Sequence, residues 1–373
     1  MFRISTSLLF TSSLLASMAL TGPAFAQGAL DQSTARTLSA ARSTHASVIQ
    51  RSVTTAGQAR GAPRIINGTE IGEEAPEAVW AFTVSIQRAG VVGSHFCGGA
   101  LANPVMAKLQ VQEDENLDEA NEGARKAVYF LNRWASGETE NNLIITAAHC
   151  VIDPDTGLTH LPNELEVVAG TRTLNDITAQ RRKVAAIFAH ELYGEGLEND
   201  IAVMILEPLP EGTDAAGRSL RLPDFADFVN YSQTTAAHSV NGWGATERGA
   251  LSPNLLTGRV PFSDQDRCHR LHQDIGAPMP DGTFCAGFAS GGFDSCQGDS
   301  GGPLFHRPAR GWRLGLPVLS GIVSWGIGCA QPQFPGIYTS VLYHKNWLEW
   351  IAVRCGEYFD PTLPEDGARS CSS

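Results

Sequence analysis

Long hydrophobic runs are scarce in this sequence beyond its first residues. After an apolar stretch from Leu8 to Leu20, no later run approaches the roughly 20 residues that a membrane-spanning helix needs. The eight cysteines include no C-x-x-C pair and the ten histidines include no H-E-x-x-H spacing, so the usual zinc motifs are missing. These shortages argue against a membrane protein and against a metal enzyme. We expect no metal site and no obligatory cofactor.

Basic residues are also few, and they are unevenly placed. Residues 1–64 hold six bases and one acid, so residues 65–373 carry 21 bases against 38 acids, a net charge of −17. A surface this acidic disfavours nucleic acid and anionic membranes as partners. Two explanations of this acidity remain open. The charge could suit a protease that prefers basic substrates, or it could simply keep the protein soluble in an exported compartment.

The N-terminal segment predicts export. Residues 1–26 combine Arg3, the apolar stretch and the A-x-A sequence Ala24-Phe25-Ala26, which are typical of a cleaved secretory signal peptide. Residues 27–64 have too few large apolar side chains to bury a core, and we interpret them as a propeptide. The mature protein should therefore be secreted or periplasmic. In such an oxidising compartment the eight cysteines favour disulfides, although eight cysteines alone permit 105 pairings.

One serine lies between glycines, in Gly298-Asp299-Ser300-Gly301-Gly302-Pro303. The glycines leave its hydroxyl uncovered and leave backbone N–H groups free to stabilise an oxyanion. A general base is available in Thr146-Ala147-Ala148-His149-Cys150, and Asn199-Asp200 precedes an apolar run that suits a buried acid. The order along the chain is His149, Asp200, Ser300.

These segments in this order resemble the trypsin-like, chymotrypsin-fold serine endopeptidases, and the resemblance extends from Ile65 to about Val353. Five further motifs agree with it in order: Ile65-Ile66-Asn67-Gly68, Cys97-Gly98-Gly99, Gly242-Trp243-Gly244, Ser324-Trp325-Gly326 and Pro335-Gly336-Ile337-Tyr338. The resemblance implies an all-β peptidase domain over residues 65–354, built of two six-stranded antiparallel barrels. His149 and Asp200 would lie on the first barrel and Ser300 on the second, with the catalytic cleft between them.

The hydrophobic pattern supports an all-β protein independently. Short apolar or alternating runs are separated by glycine and polar turns, which is typical of strands. The runs are Trp80 to Gln87, Leu143 to Ala147, Leu165 to Ala169, Ile201 to Leu206, Ser239 to Gly242 and Val318 to Trp325. A last amphipathic run, Tyr343 to Val353, predicts a C-terminal helix packed on the second barrel.

The resemblance also implies the roles in catalysis. Ser300 would be the nucleophile, His149 the general base and then acid, and Asp200 the group that orients His149. The backbone N–H groups of Gly298 and Ser300 would form the oxyanion hole. A catalytically inactive family member used as a binding protein is the alternative. Such proteins lose a triad residue or a pocket glycine, and this chain has kept them all.

Specificity follows from the residue six positions before the serine. Asp294 stands where the trypsin branch of the family carries an acid at the floor of its pocket, and a buried carboxylate there favours Arg or Lys in the substrate. The other expected substrate-binding residues are Ser295, Ser324, Trp325, Gly326 and Gly336. The partners would be proteins or peptides cleaved after Arg or Lys, with protein inhibitors as further candidates. We expect a monomer.

Activation and cross-linking are implied in the same way. Cleavage after Arg64 would free the ammonium of Ile65 to pair with Asp299. The family's disulfides would join Cys97 with Cys150, Cys268 with Cys285, and Cys296 with Cys329. Cys355 and Cys371 remain, and their simplest interpretation is a fourth bridge within the C-terminal tail, residues 355–373.

One segment departs from the family. Between Cys97 and Cys150 lie 52 residues, so about three dozen, from 103 to about 140, form an insertion. Apolar residues spaced by three and four and a proline after Asn103 predict an acidic helix. It could dock on the enzyme's own body. It could also form a recognition or gating element for macromolecular substrates or inhibitors over residues 104–138.

Overall fold

The computed structural model describes residues 68–103, 143–194, 196–207, 209, 216, 220–223, 237–246, 249–307 and 317–355. The proposed signal peptide and propeptide, the insertion from 104 onward, Arg64, Ile65 and Cys371 lie outside these residues. The described part is built mainly of strands, as the sequence pattern predicted. Within it, no helix is long and apolar enough to cross a membrane.

Six antiparallel strands close into a first barrel. They are β2 (Thr83–Arg88), β3 (His95–Asn103), β4 (Leu143–Thr146), β5 (Leu165–Ala169), β6 (Gln180–Ala189) and β7 (Ala202–Leu206). The pairings run β2-β3-β4-β7-β6-β5 and return to β2. Val84, Ile145 and Val203, all buried, contribute to the interior. Because the ring is closed, this sheet has no open edge.

The second sheet supplies the other barrel. Its strands are β1 (Thr69–Glu70), β8 (Leu220–Arg221), β9 (Ala237–Gly242), β10 (Leu256–Pro261), β11 (Thr283–Ala286), β12 (Pro303–His306), β13 (Val318–Trp325) and β14 (Gly336–Ser340). Six of them pair in the order β10-β9-β12-β13-β14-β11. An isolated bridge between Phe262 and Ala286 brings the two end strands of this series together. The arrangement is consistent with the predicted double barrel.

The predicted strand bounds differ from the observed ones where turns take the backbone hydrogen bonds. Trp80 precedes the first long strand by three residues, because a 3-10 helix, Glu77–Val79, ends there. The N–H groups of Trp80 and Ala81 both donate to the carbonyl of Glu77, at 3.0 and 2.8 Å. Those groups are unavailable to a sheet, so β2 begins at Thr83.

In the part of the chain that the structure describes, three α-helices accompany the barrels: α1 (Ala148–Val151), α2 (Gln265–Asp274) and α3 (Lys345–Cys355). No sequence pattern predicted α2, which is capped by the Asp264 carboxylate accepting from the N–H of Arg267 at 3.0 Å. We expected α3 to pack on the second barrel. Its buried Leu348 and Ile351 belong to one large buried cluster that contains side chains of both barrels, so the cluster does not assign α3 to either barrel.

The contact between barrels is close at the point where the site forms. The rings of Phe82 and Phe305 meet edge to face, with centroids 4.6 Å apart. The N–H of Gly98 on β3 donates to the carbonyl of Ser300 at 2.7 Å. A side chain on Gly98 would begin 2.9 Å from the Cα of Gly302, so the two backbones can meet only because residue 98 is glycine.

Candidate active site

His149 and Asp200 are joined by two hydrogen bonds. The backbone N–H of His149, in the single turn of α1, donates to Asp200 Oδ1 at 2.9 Å, and Nδ1 of the ring lies 2.8 Å from Asp200 Oδ2. A carboxylate only accepts, so Nδ1 carries the proton and Nε2 is left with its lone pair. Asp200 is fully buried, whereas the His149 side chain is 26% exposed. The exposed edge of the ring is therefore free to act as a base.

The electrostatics of this pair follow from burial and mutual attraction. Burial alone would raise the pKa of Asp200, but the charge of His149 and the hydrogen bonds outweigh it and hold the pKa below its usual value. For His149, burial would lower the pKa, and the neighbouring carboxylate outweighs that effect and raises it. Asp200 is therefore ionised wherever His149 could accept a proton.

Ser324 contributes a third hydrogen bond to this acid. Its hydroxyl donates to Asp200 Oδ2 at 2.5 Å. We expected Ser324 in substrate binding, and this residue does line a pocket beside Ser300. Its side chain, however, bonds to the acid, which is a contact that no sequence motif indicated.

Two glycines determine the backbone path of the loop that carries Ser300. Gly298 has a φ of 92° and Gly301 a φ of 77°, both in the left-handed region that glycine adopts without strain. A Cβ at Gly301 would clash with the Thr146 hydroxyl and lie 3.2 Å from the N of Ala147. The residue after Ser300 thus packs directly on the segment that leads into His149. The Cys97–Cys150 disulfide, with Cα atoms 6.0 Å apart, ties that segment to β3.

Two backbone donors beside the serine are left for a ligand. Within the described residues, the N–H groups of Gly298 and Ser300 form no hydrogen bond. The loop that presents them is anchored on both sides, since the N–H of Ala245 donates to the carbonyl of Gln297 at 2.5 Å and the N–H of Gly301 donates to the carbonyl of Val323 at 2.8 Å. Donors held in advance in this way stabilise a developing oxyanion without reorganising.

His95 supports the loop that carries Ser300, although no sequence motif pointed to it. It is buried, and its Nε2 lies 2.9 Å from the carbonyl oxygen of Gly298. Nδ1 lies 2.8 Å from the hydroxyl of Ser85. Burial lowers the pKa of His95 to about 4, despite the bond to Gly298. A neutral His95 therefore fixes the peptide between the two free donors. Only its position two residues before Cys97 could have indicated this.

A pocket of about 110 Å³ opens beside Ser300. The structure brings every expected substrate-binding residue to it. Its lining includes Asp294, Ser295, Ser324, Trp325, Gly326 and Gly336, together with the Cys296–Cys329 disulfide. A Cβ on Gly336 would lie 2.5 Å from Asp294 Oδ1, so any side chain there would cover the carboxylate.

Asp294 is a buried acid without a cationic partner among the described residues. It is 2% exposed and accepts from the N–H groups of Ser295 and Ala330, at 2.9 and 3.2 Å. Burial raises its pKa to about 7, and the backbone bonds only partly offset the effect. The pocket therefore has a floor that gains most from an incoming positive charge.

Asp299, next to the serine, is a further buried acid. Its two carboxylate oxygens accept from the N–H groups of Gly244 and Cys296, at 2.7 and 2.8 Å. Burial raises its pKa to about 6. The carboxyl thus lies where an additional cation would stabilise both its charge and the loop that carries Ser300.

The described part of the chain contains three disulfides, which are those that the resemblance implied. Besides the two above, Cys268 joins Cys285, with Cα atoms 6.6 Å apart. The thiols of Cys97 and Cys150 lie near His149, but they are consumed in a disulfide and leave no metal-binding set there.

Comparison with known proteins agrees with this geometry. The family model described as Trypsin matches residues 118–348. Trypsin eta of Drosophila melanogaster is 35% identical over 208 residues, covering 55% of this chain and 71% of the relative. Trypsin-1 of Astacus astacus is 38% identical over 218 residues, covering 57% and 84%. Trypsin 5G1 of Aedes aegypti is 30% identical over 296 residues, covering 79% and 86%.

Proposed function

We propose that this chain, which belongs to the trypsin family and is a serine endopeptidase acting on proteins, is secreted as a zymogen. We propose further that its mature form cleaves peptide bonds after Arg or Lys. The observation that carries the specificity is Asp294, a buried carboxyl at the floor of the pocket beside Ser300. A guanidinium or ammonium from the substrate would supply the charge that this carboxyl lacks. The glycines at positions 326 and 336 leave the approach open.

The chemistry we assign starts at the uncovered edge of His149. Nε2 removes the proton from Ser300 as Oγ attacks the scissile carbonyl, and the oxyanion forms against the N–H groups of Gly298 and Ser300. His149 then gives its proton to the leaving amine, and Oγ stays bonded to the acyl group. In the second half, His149 takes a proton from a water that attacks the ester carbonyl, and then gives this proton to Ser300 Oγ as the bond to the acyl group breaks. Asp200 keeps the ring oriented and stabilises its charged form.

The export and activation steps rest on sequence and on Asp299. We assign residues 1–26 to a signal peptide and residues 27–64 to a propeptide. Cleavage after Arg64 would give Ile65 a new ammonium. Asp299, buried and with its pKa raised to about 6, is suited to receive that ammonium, since its two backbone donors supply no net charge. Pairing would order the loop that carries the two oxyanion donors.

The specificity is tested by replacing the floor of the pocket. Asp294→Ser should lose cleavage after Arg and Lys in a peptide library, by about two to four orders of magnitude in kcat/KM, because removing one partner of a buried charge pair costs about 3–5 kcal/mol. Asp281→Ser removes an exposed acid and is the matched control. If Asp294→Ser and the parent cleave the library at the same sites with similar rates, the proposed specificity is wrong.

A further inference from the structure

The residue before Asp200 is held in an unusual conformation. Asn199 has a φ of 52°, in the left-handed region that non-glycine residues seldom adopt. The N–H of Ile201 donates to the carbonyl of Asn199 at 2.7 Å, so the chain turns tightly around Asp200. Such a backbone persists where its surroundings constrain it. The contacts of the Asn199 side chain therefore bear on where the Asp200 carboxylate points.

Two groups hold the Asn199 amide. Its Nδ2 donates to the carbonyl of Leu192 at 3.0 Å, and its Oδ1 lies 3.2 Å from Nε2 of His344. His344 is 3% exposed and lies between β14 and α3, far from Asn199 along the chain. A histidine contributed by the C-terminal segment thus reaches the turn that carries the proposed catalytic acid.

The number of protons on the His344 ring decides which of its two neighbours receives a hydrogen bond. Nδ1 lies 2.9 Å from the carbonyl of Ser340, and both that carbonyl and Asn199 Oδ1 can only accept. A neutral ring has one N–H and satisfies one of the two, whereas an imidazolium satisfies both. Burial lowers the pKa of His344, which the Ser340 bond and the charge of Asp200 partly offset. The titratable or charged groups that face or adjoin the ring are His190, Asp200, Tyr343, Glu191 and Lys345.

The far side of the turn is packed as well. The ring centroid of His190 lies 5.6 Å from that of His344 and 4.8 Å from that of Trp347. Trp347 Nε1 donates to Glu191 at 2.9 Å, and the N–H of His190 donates to the carbonyl of Ile201 at 3.0 Å. These contacts keep the segment in place around the bond between His344 and Asn199. Thr339 Oγ1 on β14 also donates to the backbone carbonyl of Asp200 at 2.9 Å, which holds the main chain but not the Asn199 amide.

We propose that His344 is a positioning residue for catalysis: when its Nε2 carries a proton it donates to Asn199 Oδ1, and this bond holds the turn that aims Asp200 at His149. The inference rests on the proposed catalytic roles of Asp200 and His149. His344 acts only through Asn199. Asp200 keeps its own bonds to His149 and Ser324, so loss of His344 loosens the aim of the carboxylate without removing it.

The test uses the processed protein and a small arginyl amide, with kcat and KM measured from pH 5 to 9 and active sites counted by titration. His344→Phe should lower kcat about tenfold or more and leave KM within about twofold, because a slight misplacement of a catalytic group can cost about a hundredfold. The acid limb of the kcat profile should move to lower pH, since a poorly aimed Asp200 raises the pKa of His149 less.

Two further variants separate the hydrogen bond from packing. His344→Gln, whose amide donates without titrating, should restore both kcat and the position of the acid limb. His269→Phe, at an exposed position of α2, is the matched control and should behave like the parent.

Several results would overturn the inference. If the acid limb of the kcat profile stays in place in His344→Phe, the role of His344 is merely structural. The same conclusion follows if the loss of rate is fully explained by a smaller number of active sites. A limb that moves to higher pH would show that His344 acts as a nearby positive charge. If His344→Phe does not fold, Asn199→Gly decides, because glycine keeps the left-handed backbone and deletes the amide; parental kinetics in that variant would refute the link. A parent without activity would instead refute the proposed function.

Discussion

The raised pKa of Asp294 predicts a steep pH dependence for any cationic ligand of the pocket. Burial raises the pKa of this carboxyl to about 7. Benzamidine, an amidinium without a scissile bond, should bind only when Asp294 is ionised, and its charge should then lower the pKa of that carboxyl. Below pH 7 each unit of pH must therefore weaken binding by about tenfold. At pH 5 the loss is about 100-fold, or about 2.7 kcal/mol.

Isothermal titration calorimetry of the processed protein between pH 8 and pH 5 measures this directly. At pH 7, binding should release about half a proton per benzamidine, which appears as a dependence of the heat on the buffer. Asp294→Asn keeps His149 and Asp299, so any slope that it retains reports the titration of groups other than residue 294. An affinity that stays constant from pH 8 to pH 5, or an equal slope in Asp294→Asn, would refute the reasoning.

Two further predictions test the nucleophile and the activation step. Ser300→Ala should fold with a parental Tm but lose peptidase activity by about a millionfold, and more than about a thousandth of parental turnover on an arginyl amide would exclude Ser300 as the nucleophile. Arg64→Gln should remain an unprocessed and inactive precursor, because Asp299 then lacks the ammonium of Ile65. Mass spectrometry of the N-terminus together with the same assay checks it, and full activity in the unprocessed variant would contradict the proposed switch.

The strands were predictable because their determinants are local, whereas the two-barrel arrangement was implied by the family resemblance. Runs such as Leu165 to Ala169 and Val318 to Trp325 became strands with the predicted bounds, since a short apolar run between turns has few alternatives to a buried strand. The prediction failed at Trp80, where a 3-10 turn takes the backbone donors, and at α2, whose cap at Asp264 was not recognised. Both misses involve hydrogen bonds that a hydrophobic pattern does not encode.

By itself, the sequence determined the family, the strand-rich architecture and the residues at which to look for chemistry, because motifs such as the glycine-flanked Ser300 are read from neighbours in the chain. Only the tertiary structure decided which distant groups support them. The hydroxyl of Ser324 on Asp200, His95 beneath the Gly298 carbonyl and His344 on Asn199 join residues 124, 203 and 145 positions apart. Such contacts depend on how two barrels and a helix pack, and the direction and strength of a hydrogen bond across that packing are fixed only when the chain is folded.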